Sequence, residues 1–178
     1  MKYVNRRQKF ADLAEKSGID QKTIDKLIGW LDTMNFFNAP ASTKYHGAYE
    51  GGLFDHSYEV ATSLIELTEK LGLAWWNESS PFIVGMFHDL CKCDQYEYED
   101  GKWVYKDSII PGHGEKSVIF AQNLYPLTSE EIVCIRWHMG AFETDTKMWN
   151  LYGKAIEKYP NVLWTHTADM MAARIRGV

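Results

Sequence analysis

Cysteine is scarce in this chain, with three in 178 residues: Cys91, Cys93 and Cys134. An odd count, with two of them only two positions apart, gives no disulfide framework and suits a reducing compartment. The Cys91-Lys92-Cys93 segment reads as two free thiols beside a helix end in preference to a soft-metal clip. Long apolar runs are also missing. No stretch approaches the ~20 residues that a membrane span needs, and the opening MKYVNRRQKF has no apolar core for a secretory signal. The expectation is a cytoplasmic protein without membrane contact. Basic residues are in deficit, 19 Lys and Arg against 24 Asp and Glu, for a formal charge of −5. That balance disfavours a long contact with nucleic acid, which needs clustered cations to neutralise phosphates. The run Lys2, Arg6, Arg7, Lys9 reads as a solvated face of the first helix. Internal repeats, low-complexity tracts and domain-dividing linkers are absent as well.

What is present is an ordinary globular composition, 46% hydrophobic and 24% charged. A chain of this size buries roughly 70% of its unfolded surface, so a metal would serve function rather than hold the fold together. The pattern predicts an all-α protein, a single domain over 1–178 in which 1–36 form a helical pair and 45–176 form the body. Helices are expected over 5–16 and 20–34, the second capped by Asp20. The stretch 38–52 is a loop. Val60, Leu64, Leu67 and Leu71 share one face of a helix that stops at Gly72. Ser80 is the expected cap of the apolar helix FIVGMFHDLC, with Pro81 at its first position. Around Asp100-Gly101, YEYEDGKWVYK alternates as a small β-hairpin does, a β excursion near 96–105 from the helical bundle. A helix follows from His113 to Leu124. A capping box, Thr128 with Glu131, opens the helix expected to hold His138. Helices over 145–158 and 161–174 complete the chain.

The chemistry centres on His88-Asp89. A carboxylate at the end of so apolar a helix costs several kcal/mol unless a cation or donors receive it. Adjacent helical positions point about 100° apart, so partners must come from elsewhere. The candidates are His56, Asp169 and the pair His113 and His138. Imidazoles mixed with carboxylates suit Mn, Fe, Ni, Co or Zn better than Mg or Ca.

The order His56, then His88-Asp89 in FHDLCK, then Asp169 in HTADMMAAR resembles the HD superfamily of metal-dependent phosphohydrolases. The likeness covers about 45–176, and more narrowly KYHGAYEGGLFDHSYEVA, GHGEKS and WHMG resemble a branch with exoribonuclease-like and bacterial or phage HD hydrolases. The resemblance implies an all-helical HD fold in which His56, His88, Asp89 and Asp169 hold one divalent ion. It also implies that Asp89, His113 and His138 can hold a second. Lys92 matches the lysine of HDxxK, placed to hold substrate phosphate. Two positions depart from the pattern, Cys91 where Gly is usual and Met139 where a second His is common, so one ion and two both stay open.

These residues give an expected function of phosphomonoester or phosphodiester hydrolysis by metal-activated water on a nucleotide-like substrate. Asp89, Lys92 and Glu115 are the candidate catalytic groups, with Glu115 orienting His113 or acting as base. His46, in a Gly-rich loop, is a candidate substrate contact beside Lys92. His166 lies one turn before Asp169. Trp137, Trp149 and Trp164 read as packing residues in preference to a base-stacking surface. The alternatives are an HD-type nuclease on single-stranded RNA or DNA, and a non-catalytic metal or nucleotide-binding module. The hairpin is a lid, a substrate edge or an oligomer contact, and no oligomeric state follows from the sequence.

Overall fold

A computed structural model describes residues 2–45, 47–106, 109–110, 112–140 and 146–178, with 2–5 and 146 described by backbone alone. Among the described residues the chain is mostly helical with one two-stranded antiparallel hairpin. The helices are α1 (Lys2–Lys16), α2 (Gln21–Thr33), α3 (Gly52–Leu71), α4 (Ser80–Phe87), α5 (His113–Leu124), α6 (Ser129–Arg136), α7 (Thr146–Lys158) and α8 (Asn161–Met170). A short 3-10 helix, Leu90–Asp94, follows α4, and a π-helical turn, Met171–Arg176, extends α8. Strands β1 (Tyr96–Glu99) and β2 (Lys102–Tyr105) pair Tyr96 with Tyr105 and Tyr98 with Trp103. Edge-to-face contact within each pair, 6.3 and 5.2 Å between ring centroids, supports a hairpin too small to be stable by backbone pairing alone. No helix among the described residues is long and apolar enough to cross a membrane.

The local signals place most helix ends where sequence chemistry puts them. The Asp20 carboxylate accepts from Thr23 N, and the Thr128–Glu131 capping box is complete in both directions. Two start and stop expectations need correction. Ser79, not Ser80, stands at the N-cap position of α4, without a side-chain capping bond, and the fully buried Ser80 hydroxyl donates to Glu131 Oε1 at 2.7 Å. A capping bond would have left that Glu131 oxygen without its buried donor. His138 lies just beyond α6, which ends at Arg136. Leu71 is exposed in the last turn of α3 while Val60 and Leu64 are buried, so the apolar face is shorter than its periodicity implies. Asp145, expected to start α7, is outside the described residues.

Phe10, Phe36, Phe37, Phe54, Phe82 and Phe87 are fully buried and meet mostly edge to face. Phe10 of α1 and Phe82 of α4 lie 5.4 Å apart, so the N-terminal pair shares its core with the body. Within the α1 basic run, Lys9 is exposed as expected and Arg6 is not. Arg6 is buried and donates to both carboxylate oxygens of Asp55 and to the Glu50 carbonyl, tying α1 to the start of α3. Arg7 pairs with Asp32 and lies over Phe37, and Lys9 lies over Tyr58. An arginine stem and head of this kind contribute packing as well as charge.

Two close approaches prepare the site. A Cβ on Gly85 of α4 would collide with the Ala61 backbone, so a glycine there lets α3 and α4 pack tightly along the stretch that carries His56 and His88. A Cβ on Gly114 would collide with Arg136, so glycine also lets the start of α5 press on the end of α6, where His113 and His138 sit.

Candidate metal centre

Five segments converge on one buried point. His56 comes from the first turns of α3, His88 from the residue after α4, and Asp169 from the last turn of α8. Asp89 shares the centre with His88 because the helix ends between them. His88 keeps helical angles, φ −58° and ψ −32°, whereas Asp89 turns to φ −110° and ψ 19° and opens the 3-10 helix. The adjacent side chains thereby escape the 100° divergence of an uninterrupted helix. His113 enters at the first position of α5, and His138 from the turn after α6.

The distances bring together all six ligand candidates. His56 Nε2 lies 3.3 Å from His88 Nε2, 3.2 Å from Asp169 Oδ1 and 3.7 Å from Asp89 Oδ2. His88 Nε2 is 3.5 Å from Asp89 Oδ2 and 4.0 Å from Asp169 Oδ1. The other carboxylate oxygen, Asp89 Oδ1, lies 2.7 Å from His113 Nε2 and 3.5 Å from His138 Nε2. Three overlapping groups of donor atoms could each hold a metal ion: His56, His88 and Asp169; His88, Asp89 and His138; Asp89, Cys91 and His113. Asp89 belongs to two of them, as a bridging carboxylate would.

The backbone fixes which nitrogens face inward. A carbonyl only accepts, so His88 Nδ1 donates to Gly85 O at 2.8 Å and His138 Nδ1 donates to Ile135 O at 2.7 Å. His56 Nδ1 likewise donates to Val178 O at 3.0 Å. In the neutral rings of His88 and His138 the inward Nε2 is therefore a bare lone pair. For His138 that atom is fully buried, has no hydrogen-bond partner and faces another acceptor, Asp89 Oδ1. Such a group costs roughly 1–3 kcal/mol if left unsatisfied. Outer hydrogen bonds that hold imidazoles in one tautomer are the usual support of metal-ligating histidines.

Lys92 Nζ lies 2.6 Å from Asp89 Oδ2, one 3-10 turn along. Burial works to raise the Asp89 carboxyl, but the Lys92 ammonium and the hydrogen bond from His113 outweigh it and hold it well below the ordinary carboxylate range. Asp169 is lowered too, burial again being outweighed by the hydrogen bond from His56. For Lys92 burial pulls downward, and Asp89 more than reverses it, so the ammonium stays charged. Burial pushes the Cys91 thiol up to about 12.

A pocket of about 390 Å³ opens onto these groups. Its floor carries Asp89, Lys92, His113 and Asp169, and its mouth carries Tyr45, Tyr96, Met139 and Arg174 among others. Tyr45, Met139 and Arg174 lie within the motifs of the resemblance, which give Tyr45 and Arg174 no role, and Tyr96 lies outside them. Tyr96 is at the mouth because the hairpin begins directly after the 3-10 helix, and Arg174 because the π-helical turn continues from Asp169. Glu115 does not orient His113: its carboxylate binds Arg136 at 2.6 Å, away from the donor cluster. His166 supports the site from behind, donating from Nδ1 to the His138 carbonyl at 2.8 Å. Trp137 is buried between Tyr152 and the Arg136 guanidinium, a packing position, whereas Trp149 meets Tyr152 edge to face but stays 44% exposed. His46 lies outside the described residues. No family model, curated protein or solved structure matches this chain.

Proposed function

We propose that the chain is a divalent-metal-dependent phosphohydrolase of the HD type, acting on a phosphate ester of a nucleotide-like substrate. The observation that carries this reading is the His138 Nε2 lone pair, buried without a partner 3.5 Å from the Asp89 carboxylate at the base of an open pocket. Repelling acceptors at such a distance are the arrangement a cation resolves. His56, His88, Asp89 and Asp169 fit one ion, and Asp89, His113 and His138 fit a second. The nitrogen and oxygen donors favour Mn, Fe, Co, Ni or Zn over Mg.

A divalent ion bound there would acidify water towards neutral pH and offset the charge of a phosphoryl oxygen. The protein's own groups supply the rest. Asp89 stays ionised at neutral pH because its neighbours hold it so, and it is a ligand rather than a proton acceptor. Lys92, at the pocket floor, presents a fixed positive charge and can pass from Asp89 to a substrate phosphate once a cation shares that carboxylate. Arg174 and Tyr45 at the mouth, with Tyr96 on the wall, contact the remainder of the ester. Glu115 has no part in this scheme, being bound to Arg136. The nuclease alternative gains nothing from α1, where Arg6 and Arg7 are paired with Asp55 and Asp32.

Hydrolysis of aryl phosphate mono- and diesters and of nucleoside monophosphates should vanish in EDTA, return with Mn, Co or Ni, and be lost in Asp89→Ala. Activity that survives EDTA, or that is unchanged in Asp89→Ala with metal still bound, overturns the assignment. Nucleotide binding without turnover on the whole panel replaces it by the non-catalytic module.

A further inference from the structure

Two of the three donor groups in the centre contain only nitrogen and oxygen, while the third contains sulfur. Cys91 reaches it because the 3-10 helix repeats every three residues: Lys92 stands over Asp89, and Cys91 falls a third of a turn away, towards α5. Its backbone is fixed there by a hydrogen bond from Cys91 N to Ser117 Oγ at 3.2 Å. Its Sγ lies 3.0 Å from His113 Nδ1 and 3.9 Å from His113 Nε2. His113 Nε2 in turn lies 2.7 Å from Asp89 Oδ1. Zinc holds sulfur at ~2.3 Å and nitrogen at ~2.0 Å, which places tetrahedral donors about 3.5 Å apart. The 2.7 and 3.9 Å separations bracket that value. Independently, the buried and unpartnered His138 Nε2 is turned on the same Asp89 oxygen.

We propose that Cys91 is a thiolate ligand of the metal position bounded by Asp89 and His113, and that it makes this half of the centre selective for thiophilic ions such as Zn(II) or Co(II). The inference rests on the metal centre proposed above and adds what distinguishes its two halves. As the metal binds, the thiol proton passes to His113 Nδ1 and the proton on Nε2 leaves to solvent, so that sulfur and Nε2 are freed together. Without a cation, the same contact is a hydrogen bond from Cys91 S–H to His113 Nδ1, with His113 Nε2–H donating to Asp89. The His88, Asp169 and His56 half has no sulfur, so the two positions differ in preference. Cys93 and Cys134 belong to none of the donor groups among the described residues.

The test is optical titration of the full chain with Co(II). Wild type should take up cobalt with a near-ultraviolet sulfur-to-cobalt charge-transfer band, lost in Cys91→Ser and kept in Cys93→Ser. Zinc affinity at that position should fall at least ~10-fold in Cys91→Ser, with manganese affinity unchanged. Cobalt bound without the band in wild type, a band that survives Cys91→Ser, or no cobalt uptake at all overturns the assignment; the wild-type spectrum decides even if the variant does not fold. A band without hydrolysis of any phosphate ester leaves the ligand in place and removes the hydrolase. Hydrolysis with cobalt bound and no band does the reverse.

Discussion

Glu130 and Glu131, at the start of α6, are as deeply buried as Asp89 beside the pocket, yet the two regions differ in what is left unsatisfied. Glu130 accepts from Trp76 N and Asn161 Nδ2, both at 2.9 Å. Glu131 accepts from Ser80 Oγ at 2.7 Å and from Thr128 N and Oγ1 at 2.7 and 3.0 Å. Each carboxylate oxygen has a donor, and the positive end of the α6 dipole adds to them. The network is closed, and no further cation is needed. Around Asp89 each oxygen also has a donor, Lys92 on Oδ2 and His113 on Oδ1, but an acceptor is left over: His138 Nε2 is buried beside Oδ1 with no hydrogen-bond partner. A buried polar cluster is thus self-contained where donors match acceptors, and could take a cation where an acceptor is left over.

The contrast makes measurable demands. The largest is on the closed network: Glu131→Ala removes the reciprocal half of the α6 capping box and strands the buried Ser80 hydroxyl, at a cost of about 3 kcal/mol. For a chain of this size that is a fall in Tm of about 9 °C by thermal denaturation. Cobalt stoichiometry in the same variant should be unchanged. Metal at ~100 times its Kd should raise the Tm of wild type by about 8 °C, from ~2.7 kcal/mol of linkage. Asp169→Ala should abolish that rise, and Glu131→Ala should keep it.

Acid gives a smaller effect on the metal-free protein. Asp89 and Asp169 are held below their unfolded value of about 3.9, so the unfolded chain takes up their protons first as pH falls. Their stability contribution is complete above about pH 5 and is withdrawn through 3.9 towards the folded values. The Tm difference between wild type and Asp169→Asn should therefore shrink below about pH 4. The smallest effect belongs to His138→Leu. Removing an unsatisfied buried acceptor offsets the lost Nδ1 bond, so metal-free stability should stay within about 1 kcal/mol of wild type. The metal-induced rise in Tm should nonetheless diminish. A large loss of metal-free stability in His138→Leu would place the centre with the closed network.

Much of the fold was legible because its signals are local. Asp20, Thr128 with Glu131, and Asp100-Gly101 each act within a few residues, and each produced the cap or turn it implies. The set His56, His88, Asp89, Asp169, His113 and His138 could be nominated in sequence because buried carboxylates and imidazoles on apolar helices require partners. Misreadings arose where a residue's partner was distant. Arg6 looked solvated until Asp55, 49 positions on, was placed beside it. Ser80 looked like a cap until Glu131 came within 2.7 Å. Glu115 looked like a partner for His113, two residues away, but the packing of α5 on α6 gives it Arg136. Cys91 read as an idle thiol because nothing local says where a 3-10 helix will aim it.

The sequence by itself determined that the chain is helical with one hairpin, and that its polar residues of metal-ligating type fall at the ends of apolar helices. Periodicity, caps and the cost of burying charge act on neighbours in the chain. Only the tertiary structure decided that those ends meet, which ring nitrogens face inward, and which buried acceptor is left without a donor. Those facts depend on close helix approaches such as Gly85 on Ala61 and on hydrogen bonds between residues dozens of positions apart.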